Sequence, residues 1–453
     1  MDLKRDIYKD LLEWKKRDSG KLLELEGARQ VGKTYILNKF ASENYKHYFY
    51  INMLQTSGAE YLKCLHKVKE WEPGQPRREK PLYDAFVLYD ERFTDDKETI
   101  VVIDEIQESA EVYSSIRQFA REFQCHFIVT GSYLGKTLVK EYFLPAGDIE
   151  LLTLNTLSFE EFLDAAGKRV LYESVDLYGA SEHAEYDELK KWYSVYIQIG
   201  GYPAVVKKYL ENENVLECNK VLRDVIDIFV QESTRYFKDI IEITLFDQIL
   251  PAIAQTLLRE KRGADDLITE LSKIVYKEES NRITKKSINQ VIAWLYHSHI
   301  IGYCDKVNNG DRISVSYNSR FYFRDVGVAG MFLKMAGADS ETRAGLLNEN
   351  FVYLYLLQKI DKLEIAGTNP NFGTYKEGEI DFFVVSHLDD KVYGVEVKAG
   401  KSIGKTANLL LADEKVDYLY LLKGDTYGGV LDDVKYTVPV YLTGRIRFDK
   451  GLK

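Results

Sequence analysis

An α/β protein with a parallel sheet at its front and further helical and α/β parts behind it is predicted by three features of the chain. Residues 22–40 read as an apolar strand, a glycine-bearing loop and a helix, in that order. Ile100-Val101-Val102-Ile103 is an apolar run ending in Asp104-Glu105, which is how a buried parallel strand delivers carboxylates to the C-terminal edge of a sheet. Beyond Gly337, a helical stretch with Glu349 precedes strands that carry Asp381, Glu396 and Lys398.

A chain of 453 residues is too long for one core, and three or so domains are expected. Its 45% hydrophobic and 29% charged residues describe a soluble globular protein, and a formal charge of −10 excludes wholesale wrapping of nucleic acid while leaving room for one basic face. Cys64, Cys125, Cys218 and Cys304 lie far apart without a zinc-like spacing, so they read as reduced thiols of a cytoplasmic protein. A charged start, Met1-Asp2-Leu3-Lys4-Arg5-Asp6, and the lack of any run of about 20 apolar residues argue against secretion and membrane insertion.

The loop is Gly27-Ala28-Arg29-Gln30-Val31-Gly32-Lys33-Thr34, which satisfies the Walker A pattern with both glycines, the lysine and the hydroxyl in register. Leu22, Leu23 and Leu25 supply the strand before it, and Tyr35 to Phe40 the helix after it. Successive N–H groups of such a loop form a concave nest for phosphate oxygens, to which the helix N-terminus adds partial positive charge. Lys33 is expected to reach the β- and γ-phosphates of ATP and Thr34 to ligate a magnesium ion.

Around this loop, residues 3–17 predict an amphipathic helix and Tyr48 to Met53 a second strand, while Pro73-Gly74-Gln75-Pro76 marks an exposed turn. Asp104 and Glu105 follow their strand in a Walker B pattern, Asp104 to hold magnesium with Thr34 and Glu105 to polarise the attacking water. A further strand, His126 to Thr130, ends at Gly131-Ser132, where Ser132 is placed to sense the γ-phosphate, although Gly-Ser is equally ordinary turn chemistry. Ile149 to Leu154 closes the sheet.

With Ile-Asp-Glu-Ile-Gln at 103–107, Thr-Gly-Ser at 130–132, Leu-Ser-Phe-Glu-Glu-Phe-Leu at 157–163 and Gly200-Gly201-Tyr202-Pro203, the chain resembles the prokaryotic AAA-type ATPases that carry a C-terminal domain of unknown function. The resemblance implies a five-stranded P-loop core, then helices, a winged helix and a restriction-endonuclease-like terminal domain. One departure stands out: many relatives have Gly-Arg before the last core strand, where this chain has Gly147-Asp148, so an arginine role cannot be carried over there.

The expected organisation is a P-loop core over 1–157, a helical connector over 158–239, a winged-helix-like domain over 240–334 and a nuclease-like domain over 335–453. In the connector, Gly200-Gly201 ends a helix and Pro203 prevents its continuation in register. In the third domain, Lys285 to Leu295 has the form of a recognition helix with Ile288, Val291, Ile292 and Leu295 on one face, and a strand from Ile300, a turn at Asn308-Asn309-Gly310-Asp311 and a return over Tyr317 to Phe323 have the form of a wing. Arg282, Lys285 and Lys286 cluster where DNA phosphates would be met, but winged helices also serve as protein-contact modules.

In the last domain, Glu396 and Lys398 fall on one face of a strand because side chains repeat every second residue. Asp381 followed by Glu396-Val397-Lys398 is similar to the restriction-endonuclease pattern: the acids would ligate magnesium, Lys398 would orient water, and Glu349 would complete the shell. An ordinary mixed sheet with salt bridges matches the same residues.

The function expected is that of an ATPase whose hydrolysis drives a conformational switch, with DNA, a protein partner or further copies of the chain as partners; the alternative is a regulator that binds ATP without hydrolysing it. Glu105 discriminates the two, since a pure binder does not need it. Whether a neighbouring subunit supplies an arginine finger is left open, and Arg29, Arg117 and Arg121 are candidates for it by position only.

Overall fold

The computed structural model describes residues 1–70, 79–131, 147–237, 244–259, 267–275, 284–398 and 404–452. They form two compact units, Arg5–Asn155 and a second made of Met1–Lys4 with Thr156–Lys453.

In the first unit, β1 (Leu22–Glu26), β2 (His47–Asn52), β3 (Thr99–Asp104), β4 (His126–Thr130) and β5 (Ile149–Thr153) pair in parallel in the order β2-β3-β4-β1-β5. Burial follows place in the sheet: interior β3 is buried at every position, whereas edge strand β5 leaves Leu151 56% exposed. Parallel strands need crossovers, supplied here by helices such as Lys33–Asn44 and Thr56–Lys69. An aromatic cluster of Tyr61, Phe86, Phe119 and Phe127 packs over the sheet, with Phe119 and Phe127 stacked at 4.8 Å. The helix expected over 3–17 is Ile7–Arg17, which buries Ile7, Leu11 and Trp14 and stops at Asp18 in the left-handed conformation. All five strands present their C-terminal ends on one edge, and the glycine-bearing loop and Asp104 share that edge.

The second unit begins with helices Phe159–Ala165, Arg169–Ser174, His183–Ile199, Pro203–Asn212 and Val215–Phe237, the first held by a capping box between Ser158 and Glu161. The Gly200-Gly201 pair has a packing role beyond helix termination. Gly200 has φ +75°, and a Cβ there would lie 2.2 Å from Asp325 Oδ1, while one on Gly201 would lie 2.1 Å from the Leu157 carbonyl oxygen. Asp325 is buried, and its carboxylate accepts from the N–H groups of Gly201, Gly327 and Val328 at 2.8, 2.9 and 3.1 Å. Backbone therefore crosses directly on backbone there.

Helices Thr244–Arg259, Leu267–Val275 and Lys285–His297 lead to a hairpin of β6 (Ile301–Val307) and β7 (Val315–Phe323). With β8 (Asn371–Tyr375) and β9 (Gly378–Ile380) it forms a sheet ordered β7-β6-β8-β9. The boundary expected at 334/335 is thus crossed by strand pairing: β6 sets Asp305, Lys306 and Val307 beside Asn371, Phe372 and Gly373, because β8 satisfies the backbone groups that a free wing would leave at its edge. A second sheet contains β10 (Phe382–Val385), β11 (Val392–Lys398), β12 (Tyr418–Lys423), β13 (Gly429–Leu431) and β14 (Lys435–Pro439) in the order β10-β11-β12-β14-β13. Asp381 stands where the chain leaves the first of these sheets for the second. No described helix is long and apolar enough to cross a membrane.

Candidate nucleotide site and a buried acidic cluster

The loop after β1 turns on positive φ at Gly27 (+147°), Gln30 (+63°) and Gly32 (+97°). Gly27 admits no side chain, since a Cβ would sit 2.1 Å from the Leu154 carbonyl oxygen. Gln30 takes the left-handed conformation at a cost of about 1–2 kcal/mol, which the loop's remaining contacts must offset. Lys33 is buried and folds across the loop, its Nζ donating to the carbonyls of Gly27 and Ala28 at 2.8 Å each. Burial pulls its pKa down to about 8, against the opposing pull of Glu105 and Asp104.

Thr34 Oγ1 donates to Asp104 Oδ2 at 2.7 Å, joining two residues 70 apart in sequence. Tyr50 Oη donates to the same carboxylate oxygen at 2.7 Å and accepts from Asn52 Nδ2 at 3.1 Å. The cause is register, because β2 sets Asn52 beside Asp104. Neither Tyr50 nor Asn52 was foreseen; pairing of the second strand with the Walker B strand is the signal that points to them. Asp104 Oδ1 accepts from the Glu105 N–H at 2.8 Å, and Glu105, at φ +51°, has its Oε2 held by Gln107 Nε2 at 2.5 Å. A hydroxyl and a carboxylate brought together are the oxygen donors a magnesium ion takes, so the residues fit that ion.

Ser132 lies outside the described residues. Arg117 and Arg121 are not beside the loop: both donate to Asp148, at 3.2 and 2.9 Å, and the Asp148 carbonyl accepts from the Leu22 N–H where β1 begins. They therefore occupy the N-terminal edge of the sheet, whereas the phosphate loop leaves the C-terminal end of β1, and neither can serve its own loop. Asp148 is their counter-ion, and Arg121 and then Arg117 hold its carboxyl below the usual range. Arg29 is near enough for its charge to oppose that of Lys33.

In the second unit, Glu349, Asp381, Glu396 and Lys398 meet in one cluster. Lys398 Nζ lies 2.7 Å from Glu396 Oε1 and 3.9 Å from Asp381 Oδ2, and Asp381 Oδ2 also accepts from the Val397 N–H at 2.6 Å. Glu396 is 3% exposed, and its Oε2 is buried with no hydrogen-bond partner. Burial and the neighbouring Asp381 raise Glu396 to about 7 and Glu349 to about 8; burial raises Asp381 too. Among the described residues no three acidic, histidine or cysteine groups are arranged to hold a metal ion, and the Lys398 ammonium is what neutralises Glu396 here.

The cluster extends further than its motif. Buried Arg320 of β7 donates to Glu379 Oε1 at 2.9 Å, and Tyr322 Oη lies 3.4 Å from Glu349 Oε2. Glu379 precedes Asp381 by two residues, a spacing that could have flagged it; nothing local marks Arg320, which arrives through tertiary pairing. Lys285 and Lys286 are exposed at the start of helix Lys285–His297, with Lys285 Nζ donating to Thr269 Oγ1 at 2.8 Å, and Arg282 lies outside the described residues.

Residues 19–163 match the family model of an AAA domain, and residues 190–339 match that of a domain of unknown function (DUF8612). No curated protein matches the chain. Among solved structures, the chain is similar to the Walker-type ATPase of Pyrococcus abyssi at 13% identity and a TM-score of 0.43, covering 74% of this chain and 96% of that one. It is also similar to the Aeropyrum pernix ORC1 protein in complex with DNA (14%, 0.32, covering 77% and 94%) and to the Thermotoga maritima RuvB Holliday junction branch migration motor (15%, 0.29, covering 66% and 90%). These are loose superpositions, and the assignment rests on the family match with the all-parallel sheet and its loop. The front of this chain is an AAA-type P-loop core.

Proposed function

We propose that the protein binds ATP with magnesium at Gly27–Thr34 and hydrolyses it to drive a conformational switch. The observation that carries this reading is the 2.7 Å contact of Thr34 with Asp104, which unites the hydroxyl of one motif with the carboxylate of the other. The loop N–H groups cradle phosphate oxygens, and the Lys33 ammonium exchanges the carbonyls of Gly27 and Ala28 for phosphate charge. Thr34 and Asp104 would hold a magnesium ion, which would supply charge neutralisation at the phosphates. Glu105 orients the attacking water, Gln107 fixes the Glu105 carboxylate, and Ser132 senses the γ-phosphate. Glu105 beside Asp104 favours hydrolysis over the reading of a regulator that only binds ATP. Calorimetric titration of ATP with magnesium into wild type and Lys33→Ala tests the site: saturable binding by the first and none by the second is expected, and equal binding would overturn it.

A second reading rests on the orphaned Oε2 of Glu396. The carboxylates of the cluster are the donor type of a divalent cation but, among the described residues, are not arranged to hold one here; a bound ion would supply Lewis-acid chemistry for phosphodiester cleavage. Asp381 and Glu396, with Glu349, would hold it, and Lys398 would orient water. The winged-helix-like segment would deliver DNA through Arg282, Lys285 and Lys286. Magnesium-dependent cleavage of DNA that disappears in Asp381→Ala and Glu396→Ala supports this reading; absence of cleavage leaves the cluster a scaffold and the segment a protein-contact module.

A further inference from the structure

Arg5, outside both nucleotide motifs, is buried against the phosphate loop. Its Nη1 donates to the Val31 carbonyl at 2.9 Å and its Nη2 to the Asn155 carbonyl at 2.6 Å. Val31 is the loop residue between Gln30 and Gly32, both at positive φ, and Asn155 follows the last core strand. The same segment is held twice more: the Leu154 N–H donates to the carbonyl of Glu26, the last residue of β1, at 2.8 Å, and the Leu154 carbonyl fills the space where Gly27 of the loop lacks a Cβ.

We infer that Arg5 is a positioning residue for the phosphate nest, acting through the Val31–Gly32 peptide. That unit is trans, so its C=O and N–H point in opposite directions. Holding the Val31 carbonyl against the guanidinium turns the Gly32 N–H away from Arg5, and so fixes the direction of one nest donor before any phosphate arrives. A single planar guanidinium grips two carbonyls, which an ammonium cannot do with the same geometry. The ligand this device serves is the diphosphate portion of a nucleotide rather than its base.

This inference rests on the ATP-binding reading, and the test separates the two. Affinities of ADP and AMP are measured on wild type, Arg5→Ala and Arg5→Lys by displacement of a fluorescent ADP, beside thermal unfolding without nucleotide. Failure of wild type to bind ADP would remove the ATP reading itself. If wild type binds, Arg5→Ala should lose ADP affinity by about ten-fold or more, roughly the 1.4 kcal/mol that a ten-fold change represents. AMP affinity should change much less, and methylguanidine should restore ADP binding where methylammonium does not. Arg5→Lys, which keeps the charge but not the fork and secures a folded variant if Arg5→Ala does not fold, should show a partial loss of the same selectivity. Equal weakening of ADP and AMP, or unchanged ADP affinity in a folded variant, would overturn the inference.

Discussion

Thr34 and Asp104 share a hydrogen bond of 2.7 Å, and Tyr50 donates to the same Asp104 oxygen at an equal distance. The carboxylate is thus positioned by a loop residue from one side and by a neighbouring strand from the other. Such preorganisation is worth most where charge must be held without rearrangement.

Tyr50→Phe removes one of those two donors and leaves Asn52 Nδ2 without its partner hydroxyl. Nucleotide turnover should fall by about ten- to a hundred-fold, because a hydrogen bond to a charged group contributes about 1.5–3 kcal/mol, and thermal stability should fall as well. Phosphate-release kinetics beside a melting curve check this.

Lys33 supplies a pH dependence. With its pKa drawn down to about 8, the lysine loses its charge well before a free one would, so ADP affinity should decline as pH rises through about 8. Lys33→Arg keeps its charge across that window and should flatten the decline. Affinity measured from about pH 7 to about pH 9.5 gives the answer, and a flat wild-type profile would contradict the prediction, because a lysine neutral in the free protein and charged in the complex must take up a proton on binding.

Glu349 and Glu396 set the opposite kind of window. Their carboxyls hold protons in the folded state at pH values where the unfolded chain has released them, so the folded state binds more protons between about 4.5 and about 8. Stability of the second unit should therefore fall as pH rises through that range, and Glu396→Gln should reduce the slope. If the cluster takes manganese, the ion should raise the melting temperature more at about pH 8 than at about pH 5, since protons and metal compete for the same oxygens.

Gly200→Ala is expected to be severe. The added Cβ meets Asp325 Oδ1 at 2.2 Å on a residue with φ +75°, so both packing and backbone oppose it. A loss of about 3 kcal/mol or more, or insoluble protein, is expected on the scale of disruptive buried substitutions; urea unfolding checks it.

The parallel core was legible because its evidence is local. A strand, a glycine-bearing loop and a helix are contiguous at Leu22 to Phe40, and Ile100 to Asp104 announces a buried strand by its unbroken apolar run. Tyr50, Arg5 and Arg320 were not legible, because each acts through a partner distant in sequence that only register or packing brings near. The strand pairing across 334/335 was not legible for the same reason, since β6 and β8 join residues over sixty positions apart. Arg117 and Arg121 are carried by the sheet to the edge away from their own loop, where Asp148 holds them, a placement that position in the chain does not reveal.

The central claim is hydrolysis at the Thr34–Asp104–Glu105 site, and phosphate release by wild type and Glu105→Gln, measured side by side with magnesium and ATP, tests it most directly. The expected result is steady release by wild type that stops without magnesium, and a Glu105→Gln variant that binds ATP as tightly but releases phosphate about a hundred-fold or more slowly, as loss of a positioned acid–base group predicts. Equal release by the two proteins, or none by wild type under any nucleotide or DNA condition, would contradict it.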